Sequence, residues 1–462
     1  MAFSVYSAFF FITLVCVQAL PLKGRTDWGE EARGSGSKCV SASATAGVHV
    51  RSGACTNATV VASITPFTTV TVTGDEVKGC GYSWAPITVV GSGVTGWVAS
   101  SFLSDCEYAS SNKFGVGLVS EGNQAQWDLT KAMVGDGGWI LLIFAGVDLS
   151  ATGPAQSWVD AVNYVFQQGL NVVLRIGPGW GQSHFRDLAD GAAQGDYTHY
   201  THLAQAYVNV LKGIPTPAST SAYSGRQLLI QIHNEPDLCY EWFCGTAASS
   251  PIGYEEMAKE YASFFRDTAD AIHAMGDDSL KVSIGALAPG GALQCGCCGA
   301  SACSGDSPGI TGLQYMQAMQ AAVPGVFDRL DFLTSHSYPA NGIGYGFNVP
   351  FDQAAPGLTY FEKELQTIGR DLPVAITETG WCTHRDGMPT CTEDQKGQWY
   401  TQAYQQVWLP DNRIIAVTPF MLQDKVWGDQ DGYAFVMTDG TQLPAFTNVK
   451  GLRCSTLGGD GC

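Results

Sequence analysis

The sequence is poor in basic residues for its length. Lysine and arginine together account for 24 of 462 residues, against 42 aspartates and glutamates, and the formal net charge is −18. No run of basic residues stands out anywhere in the chain. Because such a charge repels a polyanion unless a local basic patch exists, the composition argues against nucleic acid as a partner. A neutral substrate agrees better with it.

Sequence features that identify several other classes of protein are also missing. After the N-terminal segment, no apolar stretch is long enough to span a bilayer. The chain lacks the Gly-x-Ser-x-Gly motif, the His-Glu-x-x-His motif and a glycine-rich phosphate loop. Serine-esterase chemistry, zinc-peptidase chemistry and nucleotide binding therefore have no support. We expect no cofactor and no catalytic metal.

Residues 1–19 are typical of a secretory signal peptide. An apolar core runs from Phe9 to Val17, too short for a membrane span, and Ala19 supplies a small residue for cleavage. The segment before this core has no lysine or arginine, so an uncleaved anchor is the alternative. We favour a secreted protein, extracellular or in a cell wall, without membrane attachment after cleavage. The polar, glycine-rich residues 20–38 predict a flexible lead-in.

The cysteines agree with secretion. The chain has 15, and loss of Cys16 with the signal peptide leaves an even number, as disulfide pairing requires. They fall in local sets, which is typical of disulfides formed in an oxidising compartment. A zinc site is the alternative for the third set, although no histidine lies beside it. The sets are Cys39, Cys55, Cys80 and Cys106; Cys239 and Cys244; Cys295, Cys297, Cys298 and Cys303; Cys382 and Cys391; Cys454 and Cys462.

Residues 39–106 predict a small all-β domain of about five short strands separated by turns. The run 50–53, which reads Val-Arg-Ser-Gly, stands near its start. The run 95–103, which reads Thr-Gly-Trp-Val-Ala-Ser-Ser-Phe-Leu, stands at its end. In this order of motifs the segment resembles the bacterial-type SH3 domain. The resemblance implies either binding of a cell-wall glycan or a purely structural role, and both remain open.

From residue 114 onward, short apolar runs alternate with helix-like segments, which predicts repeated βα units. Most of the runs lack polar alternation, as expected of parallel strands buried on both faces. We therefore predict an α/β fold, a (β/α)8 TIM barrel over residues 107–453, with a disulfide-tethered tail at 454–462. A doubly wound open sheet is the alternative. The strand candidates are 114–119, 139–144, 171–176, 228–233, 280–286, 331–336, 373–378 and 414–420.

Two glutamates directly follow predicted buried strands. Glu235 ends the fourth strand in the run Ile-His-Asn-Glu-Pro, and Glu378 ends the seventh in Ile-Thr-Glu-Thr-Gly-Trp. An ionised carboxylate at such a place is unfavourable unless it is solvated, paired or used in chemistry. A helix cap or a salt bridge would explain one such glutamate. Two of them, at strand ends that meet at the mouth of a barrel, indicate a catalytic pair.

These two endings resemble those of glycoside hydrolase clan A, a group of (β/α)8 enzymes, and the likeness spans residues 114–440. The resemblance implies that Glu235 is the acid/base and Glu378 the nucleophile of a retaining mechanism. It also implies that Asn234 binds the 2-hydroxyl of the sugar. The pattern His336-x-Tyr338 is similar to the clan pattern that orients the nucleophile and contacts the substrate.

Other side chains at strand ends complete the predicted site. Arg175 ends the third strand, where a cation would keep Glu378 ionised, although a structural ion pair is the alternative. Aromatic rings are expected to stack on the apolar faces of sugars. Trp427, Trp381 and Trp180 follow predicted strands and are the candidates for this role, with core packing as the alternative for each.

The sequence thus predicts a secreted, monomeric, retaining glycoside hydrolase that cleaves β-linked polysaccharide, of the endo-β-glucanase or mannanase type. Two alternatives remain. One is a non-catalytic, lectin-like protein that binds cell-wall polysaccharide in the same groove. The other is a transglycosylase, in which the same two glutamates transfer the sugar to another sugar in place of water.

Overall fold

The computed structural model describes residues 36–106, 112–179, 185–242, 254–289, 311–341, 346–385, 388–424, 432–459 and 461–462. The predicted signal peptide, most of the predicted lead-in and the Cys295–Cys303 cluster lie outside these ranges. Within them the chain is a mixed α/β protein. An N-terminal region of antiparallel strands is followed by a region in which parallel strands alternate with helices.

The N-terminal strands pair in antiparallel register around a small apolar core. Alternate side chains point inward, so that Val48 and Val50 are buried while His49 between them is exposed. Val70, Ile87 and Val98 from other strands join the same core. The strands are β1 (Ser37–Val40), β2 (Val48–Arg51), β3 (Val60–Ile64), β4 (Thr69–Val72), β5 (Val77–Gly79), β6 (Tyr82–Val89), β7 (Thr95–Ala99) and β8 (Leu103–Ser104).

The first strand corrects the predicted lead-in at residues 20–38. β1 begins at Ser37, which lies opposite Thr71 of β4, and Lys38 donates to Asp105 at 2.7 Å. The last two residues of the predicted flexible segment are therefore part of the sheet. Their backbone groups find hydrogen-bond partners in β4, a pairing that no local sequence signal marks.

Disulfides tie this region together. Cys39 is bonded to Cys106, 67 residues away, and Cys55 is bonded to Cys80. The first bond joins the two ends of the predicted SH3-like segment. Elsewhere among the described residues, Cys454 is bonded to Cys462. Cys391 forms no disulfide with any cysteine that the structure describes, and its Sγ lies 3.3 Å from the carbonyl oxygen of Cys382.

Parallel strands form the centre of the second region, where all eight predicted strands are present in the described part of the chain. One sheet has the order β13-β12-β11-β10-β9 and the other has the order β14-β15-β18. Their side chains are buried almost throughout, because helices cover one face and neighbouring strands the other. The bounds are β9 (Gly115–Gly117), β10 (Trp139–Ala145), β11 (Asn171–Gly177), β12 (Leu228–Ile232), β13 (Leu280–Ile284), β14 (Leu333–Ser335), β15 (Val374–Ile376) and β18 (Ile414–Val417).

Hydrogen bonds connect the two sheets along both edges. Beside β9, Phe114 forms a parallel bridge with Val417 of β18. At the other edge, Thr334 of β14 donates its side-chain hydroxyl to the carbonyl oxygen of Ile284 in β13 at 2.6 Å. Because all these strands are parallel, their carboxyl ends lie at one common edge. A small antiparallel hairpin, β16 (His384–Arg385) and β17 (Met388–Pro389), follows β15.

Helices lie between and after the strands. The helix-like segments that alternate with the predicted strands are helical in the structure, and five of them are 154–168, 199–212, 253–275, 357–369 and 393–406. α1, α6 and α10 were not predicted, and the caps of Asn123 and Thr311 that begin two of them are local signals. The bounds are α1 (Gln124–Val134), α2 (Gln156–Gln167), α3 (Thr201–Lys212), α4 (Cys239–Trp242), α5 (Tyr254–His273), α6 (Gly312–Ala322), α7 (Ala355–Leu358), α8 (Phe361–Ile368), α9 (Glu393–Ala403) and α10 (Pro444–Leu457).

The last helix runs past residue 453, the predicted end of the barrel region. α10 continues to Leu457, so the predicted tail at 454–462 begins inside a helix. The disulfide between Cys454 and Cys462 then returns the chain end to that helix. No helix in the described part of the chain combines the length and the hydropathy that a membrane crossing needs.

The N-terminal region packs against the segment that enters β18. The backbone N–H of Asn412 donates to the carbonyl oxygen of Phe67 at 2.9 Å, and the guanidinium of Arg413 covers the Phe67 ring at 4.4 Å. Lys113, which is buried, donates to three carbonyl oxygens of the same segment, including that of Asp411 at 2.6 Å. These contacts precede β9 and β18, so they lie at the edge opposite the carboxyl ends of the strands.

The disulfides allow a test of how much the N-terminal cross-link stabilises the protein. Replacing both Cys39 and Cys106 by serine is expected to lower the free energy of unfolding by about 4 kcal/mol, because a long loop is released in the unfolded chain. The matched control replaces Cys454 and Cys462, whose separation of 8 residues predicts a loss of only about 2.5 kcal/mol. Urea unfolding of the full chain measures both. Equal losses would contradict the loop-length argument.

Candidate active site

The polar side chains predicted at the strand ends meet at the carboxyl edge of the two sheets. A carboxylate oxygen of Glu235, a carboxylate oxygen of Glu378 and a ring nitrogen of His336 all lie within 4.8 Å of one another. Glu235 follows β12, His336 follows β14 and Glu378 follows β15. Their proximity therefore depends on the contact between the two sheets, because β12 belongs to one and β14 and β15 to the other.

Glu378 is held as a carboxylate by the groups around it. Arg175 Nη1 donates to Glu378 Oε1 at 2.6 Å, and Tyr338 Oη donates to Oε2 at 3.0 Å. Burial by itself raises the pKa of Glu378. The charges of His336 and Arg175, together with these hydrogen bonds, outweigh it and lower the pKa below its ordinary value. Glu378 is thus suited to act as an anionic nucleophile.

His336 links the two glutamates. Its Nδ1 lies 2.8 Å from Glu235 Oε1 and 3.8 Å from Glu378 Oε2. Burial lowers the pKa of His336, but the charge of Glu378 and the hydrogen bond to Glu235 outweigh it, so the pKa lies above its usual value. The 2.8 Å contact accommodates one proton in either of two places. Either an unprotonated Nδ1 of His336 accepts a hydrogen bond from protonated Glu235, or a protonated Nδ1 donates one to the Glu235 carboxylate.

The backbone around Glu235 has an unusual conformation. His233 has φ 75° and Glu235 has φ 35°, values in the left-handed region that non-glycine residues seldom adopt. Hydrogen bonds hold this turn: the N–H of His233 donates to Ile176 O at 2.8 Å, and that of Glu235 donates to Ala286 O at 2.9 Å. Strained backbone of this kind concentrates at functional sites, where it sets the direction of a side chain.

Asn234 is connected to Glu378 through Arg175. Its Oδ1 accepts from Arg175 Nη1 at 2.7 Å, so the same guanidinium group binds both Asn234 and Glu378. Arg175, His336 and Tyr338 contact a glutamate of the pair, whereas Asn234 is connected to the pair through Arg175. The six residues predicted from the strand ends are therefore brought together. They are Arg175, Asn234, Glu235, His336, Tyr338 and Glu378.

The aromatic candidates behave differently. Trp381 is completely buried, donates its indole N–H to Val349 O at 2.8 Å and packs edge-on against Tyr400. A stacking platform needs an exposed ring face, so we do not retain Trp381 as a substrate-binding residue. The apolar residues of α9 surround it, and the sequence around a strand end does not reveal this. Trp180 and Trp427 lie outside the described residues.

Three further acids near the pair were not predicted. Burial raises the pKa of Asp237 well above its ordinary value, and it raises the pKa values of Glu241 and Glu364 to about 7. Glu364 accepts from Ser335 at 2.5 Å behind the site, whereas Glu241 contacts Asn234. The sequence offers a clue to Asp237 and Glu241, because they follow Glu235 by two and six residues. Glu364 comes from α8 and has no such clue.

Carboxylate and imidazole groups are also ligands that metals use. The oxygens of Glu378 are however engaged by Arg175 and Tyr338, and Glu235 Oε1 is engaged by His336. A guanidinium at 2.6 Å from a carboxylate neutralises the charge that would attract a cation. We therefore assign no metal site to this cluster.

The fold and the site define a mixed α/β protein with two carboxyl groups converging at the carboxyl ends of its parallel strands. Comparison with family models adds one assignment: residues 46–104 match the bacterial SH3 domain. The predicted SH3-like nature of the N-terminal region is confirmed by this match. None of the curated proteins matches the sequence.

Solved structures with a similar arrangement include several carbohydrate-active proteins. One is a family 39 glycoside hydrolase from Bacteroides cellulosilyticus, with 14% identity, a TM-score of 0.44 and coverage of 91% of this chain and 78% of that one. A second is an endo-β-1,4-glucanase from Xanthomonas axonopodis pv. citri (14%, 0.43, 74% and 99%). A third is a β-glucosidase from Exiguobacterium marinum (14%, 0.44, 72% and 86%).

The Arg175–Glu378 pair generates a prediction about stability and pH. Replacing Arg175 by methionine is expected to destabilise the protein by about 3 kcal/mol at neutral pH, because a largely buried carboxylate loses its counter-ion. A carboxyl whose folded-state pKa is depressed stabilises the fold above its unfolded pKa, and this stabilisation disappears as pH falls through the folded value. The difference in the free energy of unfolding between the variant and the natural protein should therefore become smaller below about pH 4.

The matched control for this experiment is Arg329→Met. Arg329 pairs with Asp270, which is half exposed, and such surface pairs contribute less than about 1 kcal/mol. Urea unfolding followed over a series of pH values measures both variants. A loss in Arg175→Met that is no greater than in the control, or that stays constant down to acidic pH, would contradict the assigned charge of Glu378.

Proposed function

We propose that this protein is a retaining β-glycoside hydrolase with Glu235 as acid/base and Glu378 as nucleophile. The observation that carries the proposal is the separation of the two carboxyl groups, whose oxygens lie within 4.8 Å of each other. Retaining glycosidases hold their carboxyl groups about 5–5.5 Å apart, whereas inverting enzymes leave roughly 6.5–9.5 Å for a water molecule. The short separation supports direct attack on the sugar by one carboxylate.

The architecture that we propose is a closed (β/α)8 barrel. In its support, the described parallel strands alternate with helices, and hydrogen bonds connect the two sheets at both edges, as between Phe114 and Val417. Barrels of this kind carry their active sites at the carboxyl ends of the strands. Glu235 and Glu378 follow strands β12 and β15 at that edge.

In the first step, the carboxylate of Glu378 attacks the anomeric carbon while protonated Glu235 gives its proton to the glycosidic oxygen. The bond to the leaving sugar breaks, and an ester joins the remaining sugar to Glu378. In the second step, the Glu235 carboxylate takes a proton from water, and the resulting hydroxide attacks the same carbon. This releases the sugar with its original configuration and restores both glutamates.

The surrounding residues are proposed to support these charges. Arg175 and Tyr338 stabilise the Glu378 carboxylate before the attack, as their hydrogen bonds to it indicate. His336 shares a proton with Glu235 and helps to keep one available in this buried position. Asn234 is proposed to bind the 2-hydroxyl of the reacting sugar, a contact that strengthens in the transition state.

The substrate that we propose is a neutral β-linked polysaccharide, a glucan or a mannan cleaved internally. The net charge of −18 disfavours polyanionic polymers. No cofactor takes part in the chemistry above. Transglycosylation uses the same ester intermediate, and a lectin would use the same groove without cleavage, so both are outcomes of the experiment described below.

Secretion is part of the proposal. The disulfides of the N-terminal region and of the chain end persist in an oxidising compartment, and the apolar segment 9–17 is typical of a signal peptide. The proposed domains are 39–106 and 107–453, acting as a monomer. The SH3-like domain contacts the edge opposite the catalytic pair, which favours a structural role or an independent glycan contact over a direct part in catalysis.

The central experiment measures new reducing ends after incubation with β-1,4-glucan, β-1,3-glucan and β-mannan. The natural protein is expected to cleave at least one of them. Glu235→Gln and Glu378→Ala should each lower the rate about a thousandfold, because one loses the transferable proton and the other the nucleophile. Glu362→Gln, at a half-exposed glutamate of α8, is the control and should remain fully active.

The same reactions separate the alternatives. Binding of the polymers in a pull-down assay without any new reducing ends would support a lectin and overturn the hydrolase proposal. Lengthening of added oligosaccharides, seen by mass spectrometry, would support a transglycosylase. Full activity in Glu378→Ala would show that Glu378 is not the nucleophile.

A separate prediction concerns stereochemistry. Because the reaction passes through two displacements at the same carbon, the first product formed from a β-linked substrate should itself be the β-anomer. Proton NMR spectra recorded within minutes of mixing measure the anomeric signal before mutarotation. An initial α-anomer would show a single displacement by water and would exclude Glu378 as a covalent nucleophile.

A further inference from the structure

A further carboxyl group reaches the site from the short helix that follows Glu235. Glu241 lies in α4, and its Oε1 accepts a hydrogen bond from Asn234 Nδ2 at 3.2 Å. Asn234 Oδ1 is engaged at the same time by Arg175 at 2.7 Å. The amide of Asn234 is therefore held at both ends, by a donor on one side and an acceptor on the other. Only one of its two flipped orientations satisfies both partners.

The position of Glu241 is itself fixed by the strand end. His233 Nε2 donates to the main-chain carbonyl oxygen of Glu241 at 2.9 Å, and Gln231 Nε2 donates to the carbonyl oxygen of His233 at 3.0 Å. Burial lowers the pKa of His233 to about 3, so its ring is neutral and carries its proton on Nε2 for this bond. The helix that carries Glu241 is thus attached to the same turn that carries Asn234 and Glu235.

We propose that Glu241 is a positioning residue that fixes the amide of Asn234 for the 2-hydroxyl of the reacting sugar. This inference rests on the proposed function, because it concerns the same site and its substrate. Without the acceptor on Glu241, the hydrogen bond from Arg175 alone holds the amide of Asn234, which then moves more freely about its terminal bond because that bond has a broad energy profile. Its carbonyl and N–H groups then no longer present a single pattern to a hydroxyl group.

The charge of Glu241 agrees with this role. Burial and the nearby carboxyl of Glu235 raise the pKa of Glu241 to about 7, although Arg175 and Asn234 oppose the shift. Below that value the group is mostly neutral, so it accepts a hydrogen bond without adding a third negative charge beside Glu235 and Glu378. Because both charge states of a carboxyl group offer an acceptor oxygen, the contact with Asn234 does not depend on ionisation.

The test compares Glu241→Leu with the conservative Glu241→Gln, whose side-chain oxygen still accepts from Asn234. The substrates are the 4-nitrophenyl β-glycosides of cellobiose, laminaribiose and mannobiose, and for each one cleaved, the analogue without the 2-hydroxyl on the reacting sugar. On the hydroxylated substrate, Glu241→Leu should lose about tenfold in kcat/KM, and Glu241→Gln should lose less than about threefold. On the 2-deoxy analogue, Glu241→Leu should equal the natural protein.

Two further variants sharpen the result. Glu255→Leu, at an exposed position in the first turn of α5, is the matched control and should behave like the natural protein. In an Asn234→Ala background, Glu241→Leu should have no additional effect, because the group that it positions is gone. If Glu241→Leu does not fold, as judged by thermal unfolding, Glu241→Ala is measured with the same substrates.

The outcomes distinguish this inference from the proposed function. If the natural protein cleaves no substrate in this assay or in the polysaccharide assay, both the hydrolase proposal and the positioning role of Glu241 are overturned. Cleavage with equal losses for Glu241→Leu on the hydroxylated and 2-deoxy substrates would leave the hydrolase proposal intact and reject the positioning role. The same holds if Glu241→Gln is as impaired as Glu241→Leu.

Discussion

The ion pair between Arg175 and Glu378 is the interaction on which the arrangement of the site depends. Both side chains are only 12% exposed, and an isolated carboxylate at that depth would be strongly destabilising. Arg175 comes from β11 in the five-stranded sheet, while Glu378 follows β15 in the three-stranded sheet. The pair therefore forms only when the two sheets are joined, and it connects the folding of the α/β region to the charge of the proposed nucleophile.

Around this pair, the structure distributes charge unevenly among the acids. Arg175, Tyr338 and His336 all stabilise negative charge on Glu378. Burial instead raises the pKa values of Asp237, Glu241 and Glu364, so that these acids carry less negative charge near neutral pH than exposed carboxyl groups would. A glycosidase needs one ionised and one protonated carboxyl a short distance apart, and repulsion among many ionised acids would oppose that division. Burial of the neighbouring acids therefore reduces this repulsion.

The N-terminal region contributes in another way. It contacts residues 410–413 at the edge where the strands begin, away from the catalytic pair. The disulfide between Cys39 and Cys106 closes the region just before the chain enters the α/β region. The attachment is thus remote from the carboxyl edge of the strands, where Glu235 and Glu378 lie.

The sequence by itself determined the features that depend on local pattern. Strands buried on both faces read as unbroken apolar runs, so all eight central strands were predicted within a few residues. The polar residues that end them were predicted too, because polar groups after a buried strand stand out. Helices α1, α6 and α10 were not predicted, although side-chain caps at Asn123 and Thr311 begin the first two and Pro444 begins the third.

Only the tertiary structure decided which of those polar residues meet and how. The burial of Trp381 against α9, the strand formed by Ser37 and the carboxyl of Glu364 behind His336 depend on elements distant in the chain. The orientation of the Asn234 amide likewise depends on Arg175 and Glu241 together. A residue's neighbours along the chain predict whether it is buried. The direction of its side chain, and the charge it carries, are set by contacts that exist only after the sheets have joined.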